Sequence, residues 1–360
     1  MKRISAALAA LVLAQCGQKE LPPSAPLTQP VALNPARDFG GATGEPSHDD
    51  IARFLAGRPV SAGAELSAFQ QRSDDYHFHA VELDYLWRKM GGVRTLRQAQ
   101  YYHQDLRPHL GSPSTVVYPF GGPDIMYVSS MFPRASTYIL IGLEPAGHVP
   151  AVPGDNTIAR LSALRTVMDK PLRHGYYLTK EMKNAPDVTT IMMTSLGLMG
   201  AEVKDVRSIS VAGKPATEIR FNSPYGGGKK AIYVSADLSN SGFGSIRPWL
   251  DGNSGGAAYF KAASYLPHDS SFSGIRDWVL GNCRVVLQDD SGIPYRYYDR
   301  SQWDVTLFGT YDRPIPLFSE WRQPDLAAAY DAVGPLPRIP FGSGYHVRMD
   351  DANLQVYRRK

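Results

Sequence analysis

The chain has 360 residues, of which 43% are hydrophobic and 20% charged, and its formal charge is +4. That balance supports a packed core in one large domain or two smaller ones. Part of the positive charge sits at the two ends (Lys2, Arg3 and Arg358, Arg359, Lys360), and no run of like charge marks a nucleic-acid groove, which argues against a polyanionic partner.

Lys2 and Arg3 begin a basic leader, and residues 4–14 form an apolar run of secretory length. The run is too short to cross a bilayer, which takes about 20 residues. Residues 1–15 are therefore expected to be a signal peptide. Leu13-Ala14-Gln15-Cys16 resembles the lipobox of bacterial lipoproteins, although Gln15 departs from the small residue usual before the cysteine. The resemblance implies lipidation at Cys16, and Gly17 rather than Asp after it implies sorting to the outer membrane. An ordinary secretory cleavage nearby is the plainer alternative. Residues 16–46, rich in Pro, Gly and Ala without periodicity, read as a flexible lipid-anchored tether. With Cys16 lipidated, Cys283 is left alone, so no disulfide is expected and a small buried role fits it.

Residues 47–112 read as a helical extension. Ser47 can cap a helix ending near Gly57, and 64–90 carries Leu66, Phe69, Phe78, Val81, Tyr85 and Leu86 partly at helical spacing, with Gly91-Gly92 as a stop. The main domain, 113–360, opens with a buried strand at 115–120 and a turn at Gly121-Gly122-Pro123-Asp124. A helix at 125–132 and a second strand at 137–143 ending on Glu144-Pro145 complete a parallel βαβ unit. A hairpin follows (216–222 and 231–236), then a helix at 272–280, strands at 284–288 and 303–309, and a helix at 325–333. The pattern predicts an α/β fold: a Rossmann-like, mixed but mainly parallel sheet flanked by helices.

Four groups could carry chemistry. Gly121, Gly122, Asp124 and Glu144 form the first: a glycine turn after the first strand, with an acidic residue about 20 positions on at the end of the second, is how dinucleotide folds hold phosphate and ribose. The turn lacks G-x-G-x-x-G, and Pro119 and Pro123 stiffen it. It also resembles the opening of Rossmann-type methyltransferases, which implies an adenosine-ribose role for Glu144. Export weighs against a nucleotide, so no cofactor is expected. His268 with Asp289 and Asp290 forms the second, suited to acid–base work or to holding a metal. The plainer reading makes Asp289-Asp290-Ser291-Gly292 a turn and Pro267 to Ser271 a helix cap. His77 and His79, two apart on a helix, face different ways and cannot share a metal; His103 and His109 lack partners, so no metal site is expected. Asp251 to Gly256 looks like the nucleophile segment of chymotrypsin-like proteases, but without an upstream His segment a flexible loop is favoured.

Three motifs, Tyr118-Pro119-Phe120-Gly121-Gly122-Pro123-Asp124, Ile141-Gly142-Leu143-Glu144-Pro145 and residues 287–297 (LQDDSGIPYRY), together resemble a group of uncharacterised bacterial exported lipoproteins, over most of the chain after the tether. The resemblance implies an envelope address and no mechanism. The expectation is a membrane-anchored envelope protein whose Rossmann-like domain binds a small polar ligand and is non-catalytic or weakly catalytic. The alternatives are a hydrolase using His268 with Asp289 or Asp290, a remnant methyltransferase using the Gly121 turn and Glu144, and a structural envelope protein. Oligomeric state is not legible. Gly121, Glu144, His268 and Asp289 are expected around one pocket at one sheet edge, where carboxylates would favour a cationic or polyhydroxyl ligand or a hard metal ion.

Overall fold

The computed structural model describes residues 45–61, 64–177, 182 and 186–360. The expected signal peptide, Cys16 and nearly all of the expected tether lie outside the described residues. None of the described helices is long and apolar enough to cross a membrane.

Ser47 caps α1 (His48–Leu55) as expected: its hydroxyl accepts from the Asp50 amide at 3.1 Å, and Asp50 reaches back to the Ser47 amide. α2 (Ala64–Arg72) and α3 (Asp74–Leu86) follow. The expected stop at Gly91-Gly92 does not occur. The chain passes through a π turn, Trp87–Gly91, into α4 (Gly92–Tyr101), then through a second π turn, Tyr102–Leu106, into α5 (Arg107–Leu110). The two glycines serve close packing. A Cβ on Gly91 would strike Leu172, and one on Gly92 would strike the Trp87 indole.

β1 (Thr115–Tyr118), α6 (Ile125–Met131) and β2 (Thr137–Gly142) form the expected parallel βαβ unit, in register Thr115 to Thr137. Two helices that sequence periodicity does not mark come next, α7 (Thr157–His174) and α8 (Val188–Met199). α8 is apolar all round because it is buried all round. Its Gly197 lets the α1 backbone approach; a Cβ there would collide with the Ala52 carbonyl. β3 (Glu202–Val211), β4 (Lys214–Asn222) and β5 (Gly228–Ser235) make an antiparallel run containing the expected hairpin.

Residues 251–256, read as a loop, partly belong to α9 (Phe243–Asn253), and Gly255 packs on the backbone of Thr115 to deliver β6 (Ala257–Phe260) beside β1. The chain closes with α10 (Ser273–Asn282), β7 (Val285–Gln288), β8 (Trp303–Gly309), α11 (Pro324–Val333) and β9 (Asn353–Arg359).

The nine strands lie in the order β3-β4-β5-β2-β1-β6-β7-β9-β8. The five central strands, β5 to β7, are parallel; β3-β4 and β9-β8 flank them with antiparallel pairs. The structure is thus the expected α/β fold with a mixed, mainly parallel sheet flanked by helices. Central strands are buried on both faces, so they read as continuous apolar runs. Val116, Tyr118, Tyr138, Leu140 and Tyr259 meet α1, α3, α6, α7 and α8, so the helices of 47–110 share one core with the sheet. Val117, Ile139, Ile141, Ala258 and Val286 meet α9 and α10 on the other face.

Cys283 is free and fully buried in that second core, and burial pushes its thiol up to about 12. An inert thiol follows. A maleimide reagent is expected to leave Cys283 unmodified in native protein and to label it fully in denaturant, as read by peptide mass mapping; native labelling within minutes would contradict the burial.

Candidate functional site

In an open parallel sheet, ligands bind beyond the carboxyl ends of the strands, where neighbouring connections leave in opposite directions. Here that point lies between β1, which connects onward to β2, and β6, which connects onward to β7. Glu144 after β2 and Asp289 after β7 leave the same edge, but β1 and β6 stand between them. Three strand spacings separate them by roughly 14 Å, so the expected residues fall into two groups.

Gly122 and Glu144 meet. The Gly122 amide donates to the Ile141 carbonyl at 3.3 Å, and a Cβ on Gly122 would lie 3.8 Å from Glu144 Oε2. Gly121 packs flat on the Tyr118 ring. Glu144 is half-buried, and its carbonyl accepts from the Tyr233 hydroxyl at 2.7 Å. Asp124 turns inward instead. Its Oδ2 accepts from the Tyr118 hydroxyl at 3.0 Å and pairs with Lys261 Nζ at 2.5 Å. Lys261, the residue after β6, also donates to the Gly175 carbonyl and lies 4.0 Å from the Tyr127 ring centroid. Burial raises the Asp124 carboxyl and lowers the Lys261 ammonium. In a dinucleotide fold the pyrophosphate lies at the helix start after the first strand. Here the residue before α6 is Asp124, whose carboxylate is directed inward to Lys261 and makes no side-chain hydrogen bond to the start of that helix.

The second group surrounds Asp289 and Asp290. The expected turn chemistry is present: Asp289 Oδ1 accepts from the Ser291 amide at 2.8 Å and its hydroxyl at 2.5 Å. Its other oxygen accepts from the Ala262 amide at 2.9 Å, tying the end of β7 to the end of β6. Asp290 accepts from the Tyr265 hydroxyl and from Asn353 Nδ2 at 3.1 Å, and pairs with His346 Nε2 at 3.4 Å. His346 Nδ1 faces Asp351 at 3.7 Å. Burial would lower His346, but the two carboxylates win and lift it to about 10; burial would raise Asp290, but His346, Tyr265 and Asn353 hold it below the usual range. Asp289 rises to about 6, through burial and then the neighbouring Asp290 charge.

His268 is separate from the carboxylate oxygens. Burial pulls it down to about 4, its ring stands edge-on to Tyr265 and Trp321, and its Nε2 has no partner. Within the expected capping segment the cap is Asp269, which accepts from the Ser271 amide at 2.8 Å. Sequence reasoning missed Ser264, whose order with Asp290 and His346 matches that of an α/β-hydrolase triad. The geometry does not complete it: both His346 nitrogens face carboxylates, and Ser264 Oγ bonds the Tyr345 hydroxyl at 3.0 Å. His77 and His79 lie on α3, with His79 buried against the Leu55 carbonyl at 2.8 Å. Among the described residues no three His, Cys, Asp or Glu side chains gather as metal ligands.

These shifts set a pH dependence. His79 and His268, both near about 4 when folded against 6.5 ordinarily, refuse protons that the unfolded chain accepts, so stability falls as pH drops from 6.5 to 4. Asp289 works the other way between 6 and 3.8. The two histidines give a loss of stability as pH falls from 7 to 5 that Asp289 partly offsets. His346 contributes stability below 6.5 that is lost as pH rises through about 10. Calorimetry is expected to place the highest melting temperature near neutrality; a higher value at pH 5 would contradict the buried neutral histidines.

Backbone strain marks the same edge. Among the described residues five non-glycines take left-handed φ: Phe120 (60°), Ala212 (48°), Ala262 (50°), Ser264 (52°) and Tyr265 (55°). Ala212 precedes Gly213 in the β3–β4 turn, where that conformation is ordinary. The other four directly follow β1 and β6, each at a cost of about 1–3 kcal/mol. Tyr345 holds the β6 end, donating to the Ala262 carbonyl at 2.9 Å, with the rings of Tyr176, Tyr265 and Phe318 around it. No protein-family model and no curated protein matches the chain.

Proposed function

We propose that the chain is an exported envelope lipoprotein whose α/β body binds a small polyhydroxyl or cationic ligand at the carboxyl edge of its sheet and performs no chemistry on it. The address rests on sequence: Lys2-Arg3, the apolar run 4–14, Cys16 followed by Gly17, and the resemblance carried by the three motifs. The observation that carries the binding reading is the concentration of strained backbone after β1 and β6. Such strain persists where neighbours over-determine it, and it gathers at ligand clamps. Half-buried Glu144 beside Gly122 and the half-buried rings of Tyr176, Tyr345 and Phe318 offer acceptors for hydroxyls and faces for C–H groups. A binding role without catalysis fits a His346 held protonated and a His268 without a hydroxyl in reach.

Thermal-shift titration with hexoses, putrescine and AMP tests this reading. A hexose or the diamine is expected to raise the melting temperature, AMP is not, and Glu144→Gln should remove the response while leaving the unliganded protein as stable. Asp289→Asn should weaken the response by loosening Ala262. A fluorophosphonate probe should leave Ser264 unlabelled. A response to AMP alone, labelling of Ser264, or an undiminished response in both variants would overturn the proposal.

A further inference from the structure

α3 is apolar on two faces. Its inner face, Tyr76, His79, Leu83 and Leu86, is buried. Its outer face carries Phe78, Val81 and Tyr85, each more than half exposed. Arg165 of α7 flanks this row, 4.9 Å from the Phe78 ring centroid. Single exposed apolar residues need no explanation. A helix apolar on opposite sides ordinarily lies inside a protein, and an exposed apolar patch rimmed by charge marks an interaction surface.

Asp74 and Lys89 close the row at its two ends. At about 100° per residue, positions 74, 78, 81, 85 and 89 fall within a sector of roughly 80°. From Asp74 to Tyr85 the steps alternate between four and three residues, the coiled-coil spacing. Both end residues are exposed, and neither side chain makes a hydrogen bond or ion pair among the described residues. An acid suits the amino end of a helix. Lys89 has no such reason for its place, because the chain stays helical through the π turn beyond it into α4.

The row is its own complement. Asp74 and Lys89 are equally far from the point between Val81 and Glu82, and so are Phe78 and Tyr85. Turned end for end about a two-fold axis at that point, a second α3 sets its Lys89 against Asp74, its Tyr85 against Phe78 and its Val81 against Val81. Asp75 and Arg88 are related in the same way, although Arg88 also pairs with Asp84 on its own helix. A parallel pairing would set like charges together. Self-complementarity about a two-fold is what an isologous interface requires.

We propose that α3 pairs with α3 of a second copy of this chain, antiparallel about an axis beside Val81. Phe78, Val81 and Tyr85 supply the contact, and the end charges fix its direction. From Asp74 to Lys89 the helix runs about 24 Å. A contact one helix wide is at the small end of specific interfaces, so the dimer is weak. The pairing depends neither on the carboxyl edge nor on the anchor.

Sedimentation equilibrium of the full chain in a mild detergent is the test. A dimer is expected, with a Kd on the order of 100 µM or tighter. Val81→Asp should weaken association roughly tenfold or more, because it buries a charge at the axis. The position is exposed, so the melting temperature should hold. Asp74→Lys and Lys89→Glu should each weaken association, and the chain carrying both should recover it, because the axis again sets opposite charges together. On mild oxidation, Phe78→Cys chains should cross-link to Tyr85→Cys chains in preference to themselves. A monomer at several hundred micromolar, undiminished association of Val81→Asp, or a double reversal no better than the single ones overturns the proposal. So does a monomer whose flotation with phosphatidylethanolamine–phosphatidylglycerol vesicles is lost in Val81→Asp, which would give the row to a lipid surface. Glu144→Gln should leave the dimer intact, so the hexose experiment and this one fail separately.

Discussion

Lys261→Met is expected to destabilise the protein by roughly 3–5 kcal/mol, because it leaves Asp124 charged and without its cation in the core. The two side chains are each about 3% exposed and 2.5 Å apart. Methionine fills the space of the lysine stem, so the loss is electrostatic. It also leaves the Gly175 carbonyl, which caps the end of α7, without its donor. Two further measurements separate this cause from simple damage to packing. Adding Asp124→Leu removes the stranded charge, so the double variant should be more stable than Lys261→Met alone. Without Lys261, the folded Asp124 carboxyl, already raised by burial, should rise further above its ordinary 3.8. The folded single variant then takes up a proton before the unfolded chain does, and its deficit should shrink from pH 8 to pH 5. Chemical denaturation at both pH values reads these effects. A deficit under about 1 kcal/mol, insensitive to pH, would mean that water reaches the pair.

This pair also explains why the glycine turn misleads. Gly121, Gly122 and Glu144 come together as their spacing implies, since β1 and β2 are adjacent and Gly122 bonds to β2. What the sequence around the turn cannot show is the direction of Asp124, because its partner arrives on β6, far along the chain. β1 and β2 were legible because β-branched and apolar residues run without break, as burial on both faces requires. β6 is four residues, two of them alanine, and was hidden behind glycines that read as a loop. α8 has no polar face, so periodicity has nothing to detect. At the second group the Asp289 turn was readable from Asp-Asp-Ser-Gly alone. The contribution of His346 was not, because a lone histidine after Ser-Gly-Tyr carries no local signal and acquires its charge only from Asp290 and Asp351.

The segment Ser343–His346, a strap tied to the ends of β6 and β7 by Tyr345 and His346, yields the other large effect. Gly344→Ala is expected to cost roughly 3–5 kcal/mol, lowering the melting temperature by several degrees. Gly344 has φ 56°, which a side chain resists, and a Cβ there would fall well inside the van der Waals envelope of Asp289 Oδ2. Neither partner can retreat. Asp289 is fixed by Ser291 and by the Ala262 amide. The turn is closed by paired Ser343 and His346 backbone bonds of 2.9 and 3.0 Å and tied down by Tyr345 and by the His346–Asp290 ion pair. The two causes are separable. The conformational part alone costs about 1 kcal/mol, so in an Asp289→Ala background, where the colliding carboxylate is gone, Gly344→Ala should cost only that much. The difference is the coupling between strap and strand end. Strong coupling would mean that the strap holds Ala262 and Ser264 in their strained conformation, and the Gly344→Ala protein should then also lose its hexose or putrescine response. Equal costs in the two backgrounds would place the strain in the turn itself and leave the β6 end to hold its own shape.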